Sequence, residues 1–331
     1  MVGFGQVADT LGDDPRMRDY FRDASHADVL SKRPAFEWDA VVDPSETALQ
    51  RARQKWGIKH LARDFAGLDN DYKPDIAVVA APPHVRHAVI QAFPSLRGLL
   101  VEKPLGRNIE EAVDFVTASE TRKLPVQVHF WRRGVQGFQD LATGKLADHV
   151  GEIQAVFGLY GRGLFNNGSH LVDFARMLFG EVMTVRALLA ASPVSEPALK
   201  GDIQVPFVLY FTGNVMLTVL TVTFAHYREV SLDIWGTAGR LSIMQESLNV
   251  IRYPLCANRG LSDEREVASD QPEMLNFSVG DAYRNIYDNL AAAVNEGAPL
   301  ISDAVSALRT MQVLDGIHRS AAEGGVMVDV A

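Results

Sequence analysis

The chain has 331 residues, 47% of them hydrophobic, with 41 acidic against 32 basic side chains and a formal charge of −9; that is enough to bury one or two sizeable cores. The acidic balance, without a run of Lys and Arg interleaved with aromatics, offers no face to a phosphate backbone and excludes nucleic acid as a partner. A single cysteine, Cys256, closes no internal disulfide, and with no basic-then-apolar leader and no apolar run of membrane-spanning length in the sequence, a cytoplasmic protein without a membrane partner is expected.

Met1-Val2-Gly3-Phe4-Gly5-Gln6-Val7-Ala8 places a Gly-x-Gly-x-x-Ala turn at the front, where a dinucleotide pyrophosphate would rest on a helix N-terminus. Gly-x-Gly alone also occurs in ordinary loops. Only two residues precede Gly3, so the first strand is expected to be truncated, leaving the turn without its anchor and an inner sheet position empty, for which an upstream start is the simple explanation. Phe36 to Asp43 reads as a strand ending in a carboxylate, the position that binds the adenosine ribose and favours NAD over NADP. Asp43 lies well beyond the roughly 20 residues expected after the glycines, which predicts an insertion in or after the first helix, around Gly12 to Ala24. Leu49 to Trp56 predicts a helix stopped at Gly57. Asp75 to Ala81, almost wholly apolar and ending in Pro82-Pro83, predicts a buried parallel strand; Val85 to Phe93 predicts a helix and Gly98 to Glu102 the next strand. This alternation implies a right-handed β-α-β sheet and an α/β fold class.

From about His129 the pattern becomes richer in strands: Glu152 to Leu159, Val205 to Tyr210, Val215 to Ala225 and Ser231 to Trp235. These predict a second domain on an open, largely antiparallel sheet, with one face covered by a helix beginning near Ser169, and Ala282 to Val294 and Ser302 to His318 read as two more amphipathic helices. The predicted boundaries are 1–128 and 129–331.

Glu102-Lys103-Pro104 puts a carboxylate and an amine just past the C-terminal end of a parallel strand, the edge where open α/β sheets bind ligands. A lysine there can donate to a substrate oxygen as hydride leaves or arrives; the alternative is a solvated turn. Asn166-Asn167-Gly168-Ser169 marks a helix start, with His170 and Asp173 three residues apart on one face. Asp173 would orient the imidazole and Asn166 hold a substrate hydroxyl; the alternative is a capping Asn, a half-buried His and a surface Asp. His26, His60, His84, His87 and His129 are scattered without zinc spacing, so no metal site is predicted.

Glu102-Lys103-Pro104, the Asn166 to Asp173 segment and Trp235-Gly236-Thr237-Ala238-Gly239-Arg240-Leu241 together resemble the glucose-fructose oxidoreductase/inositol dehydrogenase/rhizopine catabolism protein family over nearly the whole chain. The resemblance implies an N-terminal Rossmann domain, a C-terminal α/β domain on a large open sheet, and a homodimer or homotetramer formed through that sheet. It implies an NAD(P)-dependent dehydrogenase acting on a hydroxyl or carbonyl carbon of a sugar, cyclitol or sugar derivative. Lys103 and His170 match the family's catalytic pair. Gly3, Gly5, Gln6, Val7, Ala8, Asp43, Ala81, Pro82, His87, Glu102 and Lys103 fall at cofactor-binding positions, and Asn166, Asp173, Arg133 and Trp131 at substrate positions. Asn166 stands where many members carry Asp, Ala81 where Thr is usual, and Trp131 where Asn is frequent. A reductase of a non-sugar substrate, or a cofactor- or sugar-sensing protein without turnover, is the alternative.

Overall fold

The computed structural model describes residues 1–69, 71–194 and 197–330. The chain folds as two compact units, Met1–Val135 with Val279–Leu308, and Gln136–Ser278 with Arg309–Ala331. The division therefore differs from the expected single cut after residue 128, because a late segment returns to the first unit.

The first unit carries parallel strands β1 (Ala40–Val42), β2 (His60–Ala62), β3 (Ile76–Val79), β4 (Gly98–Val101) and β5 (Val126–Val128). β1 pairs with β2, and β3, β4 and β5 pair in that order. Val2 bridges the two sets, lying parallel to both Val42 and Val79. The expected empty strand position is filled by Met1 to Gly3: Val2 donates to Val78 O (2.8 Å), Gly3 to Val42 O (2.9 Å) and the Met1 amine to Ala40 O (2.8 Å), while Val42 donates to Met1 O (2.9 Å) and Ala80 to Val2 O (2.8 Å). Three residues thus satisfy backbone groups on both neighbours and anchor the glycine turn.

The turn does not open a regular helix, which corrects the expected helix N-terminus. After Gly5 the chain makes one turn and a 3-10 segment over Thr10–Asp13. Asp14, before Pro15, is forced extended (ψ 118°), and the Pro15–Tyr20 helix leads away. The chain returns at Ser25, where Ala27 donates to Ala8 O (2.9 Å) and the His26–Lys32 helix completes what the turn began. The residues predicted as an insertion form this excursion. Phe4, Ala8, Ala27, Val41, Leu49, Ala52 and Ile58 close the core beneath it.

The Glu46–Trp56 helix starts one turn earlier than Leu49 because the Ser45 hydroxyl accepts from Ala48 N. The Ala282–Glu296 helix, expected within the second domain, belongs to the first unit. It buries Ile286, Tyr287 and Leu290, and the Gln127 amide on β5 donates to Ile286 O and Asn289 Oδ1.

The second unit is built on β6 (Ile153–Tyr160), β7 (Val182–Ala187), the short pair β8 (Ser192–Pro193) and β9 (Ile203–Gln204), β10 (Phe207–Phe211), β11 (Met216–Thr221), β12 (Ser231–Gly236), β13 (Gly239–Met244), β14 (Asn249–Ala257), β15 (Arg265–Val267), β16 (Glu273–Leu275) and β17 (Met327–Asp329). Its ten-stranded sheet runs β15-β14-β13-β12-β6-β11-β10-β7-β17, with β16 against β14. Among its described residues, β6 and β11 are the one parallel pair of this sheet, so the expected open, mostly antiparallel sheet is present. On its covered face a Cβ on Gly158 would lie 3.4 Å from Leu171 of the Ser169–Phe179 helix, and one on Gly316 of the Ala304–Ala322 helix 3.1 Å from Val185 and 3.8 Å from Val328, so both helices press on the sheet. The other face leaves Phe157, Met216, Leu220, Met274 and Met327 about half exposed. Among the described residues no helix is long and apolar enough to cross a membrane.

Candidate active site

The C-terminal edge of the parallel sheet gathers much of what the sequence singles out. Gly3 has φ +81°, and a Cβ there would lie 2.7 Å from Ala80 O, so the turn presses directly on the end of β3. A Cβ on Gly5 would meet nothing within 4 Å; its backbone, with exposed Gln6 and Val7, faces outward while Ala8 is buried. Asp43 at the end of β1 accepts from Phe4 N (2.6 Å) through Oδ2 and from Ser45 N (2.8 Å) through Oδ1. Ala81 and Pro82 follow β3, and the His87 ring stands edge-on to Phe115 at 6.0 Å. A dinucleotide fits these residues: an open glycine backbone, and a carboxylate whose remaining lone pairs can accept ribose hydroxyls.

Asp9 fixes the turn from behind. Its fully buried carboxylate accepts from Arg51 Nε (2.6 Å), Lys55 Nζ (2.8 Å) and Trp56 Nε1 (2.9 Å), and Arg51 also donates to Phe4 O (2.7 Å). Burial pushes the Asp9 carboxyl up, but the bonds from Lys55, Arg51 and Trp56 outweigh it and leave it below its ordinary value.

Lys103 is half-buried just beyond β4, on a turn with a cis Lys103–Pro104 peptide. The buried Arg86 guanidinium donates to both Glu102 O and Leu105 O and so clamps that turn. Glu102, placed with the cofactor residues by the resemblance, turns its carboxylate inward instead: Oε1 lies 3.0 Å from His26 Nε2 and 2.7 Å from His129 Nδ1, and Oε2 accepts from Lys103 N (3.2 Å). Burial pushes the Glu102 carboxyl up, yet His129 and His26, both bonded to Oε1, hold it well below the usual range. Beyond β5, Trp131 packs edge-on against Phe21 (5.5 Å) and Arg133 Nη1 reaches Ile301 O at 3.5 Å. Arg86, Asp9 and Phe21 are residues that the sequence did not mark, and His26 and His129 stand in it only as scattered histidines; His26 and Glu102 lie 76 positions apart, so no spacing announces their meeting.

In the second unit a π-type turn over Leu164–Gly168 leads into the Ser169–Phe179 helix carrying half-buried His170. Asn166 N and Phe165 N donate to the Asp202 carboxylate (both 3.0 Å), Asn166 Nδ2 donates to Arg162 O (3.2 Å), and Ser169 Oγ donates to Asn166 O (2.7 Å). Asp173, expected on the surface in the alternative reading, is buried. Its Oδ1 accepts from Thr310 Oγ1 (3.3 Å) and lies 4.0 Å from Arg176 Nη1, because Arg176 is itself buried and needs acceptors.

A parallel α/β unit with a glycine turn at its central strand, joined to a unit with a large open antiparallel sheet, defines a two-domain oxidoreductase. Residues 19–130 match the oxidoreductase family's NAD-binding Rossmann fold and residues 161–330 its C-terminal alpha/beta domain, and the chain belongs to this Gfo/Idh/MocA family. It is 24% identical over 305 residues to an uncharacterised oxidoreductase of Rhizobium meliloti, covering 86% of this chain and 90% of that one. Levoglucosan dehydrogenase of Pseudarthrobacter phenanthrenivorans is 23% identical, covering 92% of this chain and 88% of the relative; the solved levoglucosan dehydrogenase complex with NADH has a TM-score of 0.73 at 19% identity, covering 100% and 98%. The WlbA dehydrogenase of Bordetella pertussis, solved with NADH and UDP-GlcNAcA, has a TM-score of 0.72 at 19% identity, covering 100% and 97%.

Proposed function

We propose that the chain is an NAD-dependent dehydrogenase that moves hydride between the nicotinamide and a hydroxyl-bearing carbon of a sugar, cyclitol or sugar derivative. The observation that carries this is the half-buried Lys103 on a turn clamped by Arg86, at the same sheet edge as the open Gly5 backbone. A relative named levoglucosan dehydrogenase and the similar WlbA structure in complex with UDP-GlcNAcA support the substrate class. When bound, the nicotinamide supplies the hydride acceptor or donor. Gly3, Gly5, Gln6, Val7 and Ala8 take the pyrophosphate, Asp43 takes the ribose and repels a 2′-phosphate, and Ala81, Pro82 and His87 lie toward the nicotinamide side. Lys103 polarises the substrate oxygen and His170 takes its proton in oxidation. Asn166, Arg133 and Trp131 position the substrate, while Asp173 steadies the helix that carries His170.

Open-face Phe157, Met216, Leu220, Met274 and Met327 support a homodimer or homotetramer formed through the sheet. The lone cysteine suits a cytoplasmic protein. A sensing protein without turnover is favoured by one observation: Asn166 brings no titratable group and donates its amide to Arg162 O.

The test is the melting temperature of the protein with NAD⁺, NADH, NADP⁺ or NADPH, followed by a polyol and sugar-nucleotide screen with the pair that binds. Stabilisation by NAD(H) with turnover is expected, and Lys103→Ala should lose turnover at least 100-fold with the NADH Kd within about 3-fold. No stabilisation by any cofactor refutes the reading; binding without turnover favours the sensor.

A further inference from the structure

Glu102 shares a buried cluster with two histidines and two tyrosines drawn from four places in the chain. His26 begins the helix after the excursion, His129 follows β5, and Tyr283 and Tyr287 face them from the Ala282–Glu296 helix. The rings pack closely, with centroids 4.8 Å apart for His26 and His129 and 4.4 Å for His129 and Tyr283. His26 and Tyr287 are fully buried and His129 is 3% exposed.

The bonding constrains where the protons sit. A carboxylate oxygen only accepts, so His26 must present Nε2–H and His129 Nδ1–H to Oε1. The other nitrogen of His26, Nδ1, lies 2.8 Å from the Tyr287 hydroxyl. Burial pushes the tyrosine up and the His26 imidazole down, so the hydroxyl keeps its proton and donates to a neutral ring. His129 Nε2 is buried without a hydrogen-bond partner among the described residues. A proton there would bury an N–H with no acceptor, at a higher cost than an unused lone pair. The Arg86 guanidinium, reaching in from another helix, approaches the turn from the carbonyl side and donates to Glu102 O and Leu105 O.

We propose that His26 and His129, as neutral rings of opposite tautomer, hold the Glu102 carboxylate so that its second oxygen fixes the Lys103 backbone, making Glu102, His26 and His129 positioning residues for Lys103. Two imidazole donors on one oxygen leave the other free to accept the Lys103 N–H, and the lysine starts from a backbone tied at its amide by Glu102 and at the Glu102 and Leu105 carbonyls by Arg86. His26, Glu102 and His129 also offer ligand atoms within 4.8 Å of one another. Separations of 2.7 and 3.0 Å are those of hydrogen bonds, whereas ligands sharing a tetrahedral zinc at about 2.0–2.1 Å each lie about 3.3 Å apart. The inference rests on the proposed function only in giving Lys103 a catalytic task.

The experiment reads the ring nitrogens and the lysine without cofactor or substrate. Long-range ¹H–¹⁵N spectra of the ¹⁵N-labelled protein at pH 7 should show His26 as the Nε2–H tautomer and His129 as the Nδ1–H tautomer, both unchanged by added Zn²⁺. Competitive acetylation with acetic anhydride, read by mass spectrometry against exposed Lys59, should show the relative Lys103 rate changed at least 3-fold in Glu102→Gln, and largely restored in Glu102→Asp. Matching tautomers, a cationic His129, or a saturable zinc response would overturn the proposal. So would a lost histidine signature in a folded Glu102→Gln with unchanged Lys103 reactivity, since that is what a purely structural cluster gives. If the variant does not fold, the wild-type tautomers still decide. Wild-type protein that binds no NAD(H) but passes these tests sinks the proposed function and leaves the positioning clamp standing.

Discussion

The two glycines of the first turn separate stability from cofactor binding. Gly3→Ala puts a side chain at φ +81°, a cost of roughly 1–2 kcal/mol for a non-glycine residue. It also drives a Cβ to 2.7 Å from Ala80 O, in a residue whose N–H is held by Val2 O, and relieving such overpacking adds about 1–3 kcal/mol. The total of about 2–5 kcal/mol should lower Tm by roughly 5–15 °C. Gly5→Ala meets nothing within 4 Å and no left-handed backbone, so stability should hold or rise by up to about 1 kcal/mol. The added methyl stands where a pyrophosphate would approach, and the NADH Kd should rise at least 10-fold, about 1.4 kcal/mol. Urea denaturation gives the stabilities, and NADH fluorescence titration gives the affinities. A Gly5→Ala protein that binds NADH within 2-fold of wild type refutes the placement of the pyrophosphate. A Gly3→Ala protein within 0.5 kcal/mol of wild type would equally refute the packing argument.

Asp9→Asn should destabilise by about 2 kcal/mol, less than a fully buried pair because its Arg51 and Lys55 partners are about a third exposed and can turn to water. The folded Asp9 carboxyl lies below its unfolded value, so its contribution is complete above pH 3.8 and fades as the pH falls through the folded value; stability curves of wild type and variant should therefore converge in acid, and parallel curves would contradict the assignment. Arg176→Leu removes a two-pronged bond to Glu181 and one to Thr310, and should cost about 2–3 kcal/mol by urea denaturation; a loss below 0.5 kcal/mol would show that the buried guanidinium contributes nothing net. The wild type should sediment as the proposed oligomer and Phe157→Glu with Leu220→Glu as a monomer with the far-ultraviolet spectrum intact; a monomeric wild type would refute the oligomer, and an unchanged variant would place the interface elsewhere.

Runs with one dominant period were legible. Ile76–Val79 and Gly98–Val101 are continuous apolar stretches, and their place as inner parallel strands follows from burial on both faces. The Ser169–Phe179 helix was legible from its small polar entry residues. The Ile109–Thr121 helix went unread although Asn108 caps it through Glu111 N. What the local pattern could not carry was destination. An amphipathic stripe on Ala282–Glu296 says that one face is buried, not which core buries it, and here it serves the first unit. In the candidate site, Lys103, His170 and the glycines stood out by motif. The Glu102 cluster did not, because its bonds join residues 76 and 27 positions apart, and only a folded sheet edge makes them neighbours.

The return of Val279–Leu308 to the first unit sets an order on biosynthesis. The nucleotide-binding half emerges first from the ribosome but lacks the helix that seats against Gln127, His26 and His129 until the whole of Gln136–Ser278 has been made. At about 5–20 residues per second that delay lasts on the order of ten seconds, during which an unfinished parallel sheet shows apolar surface and the second unit has time to fold. Fragments ending near Val135 should accordingly need chaperones or the missing helix supplied in trans, so the front half of this chain is not a portable nucleotide-binding module.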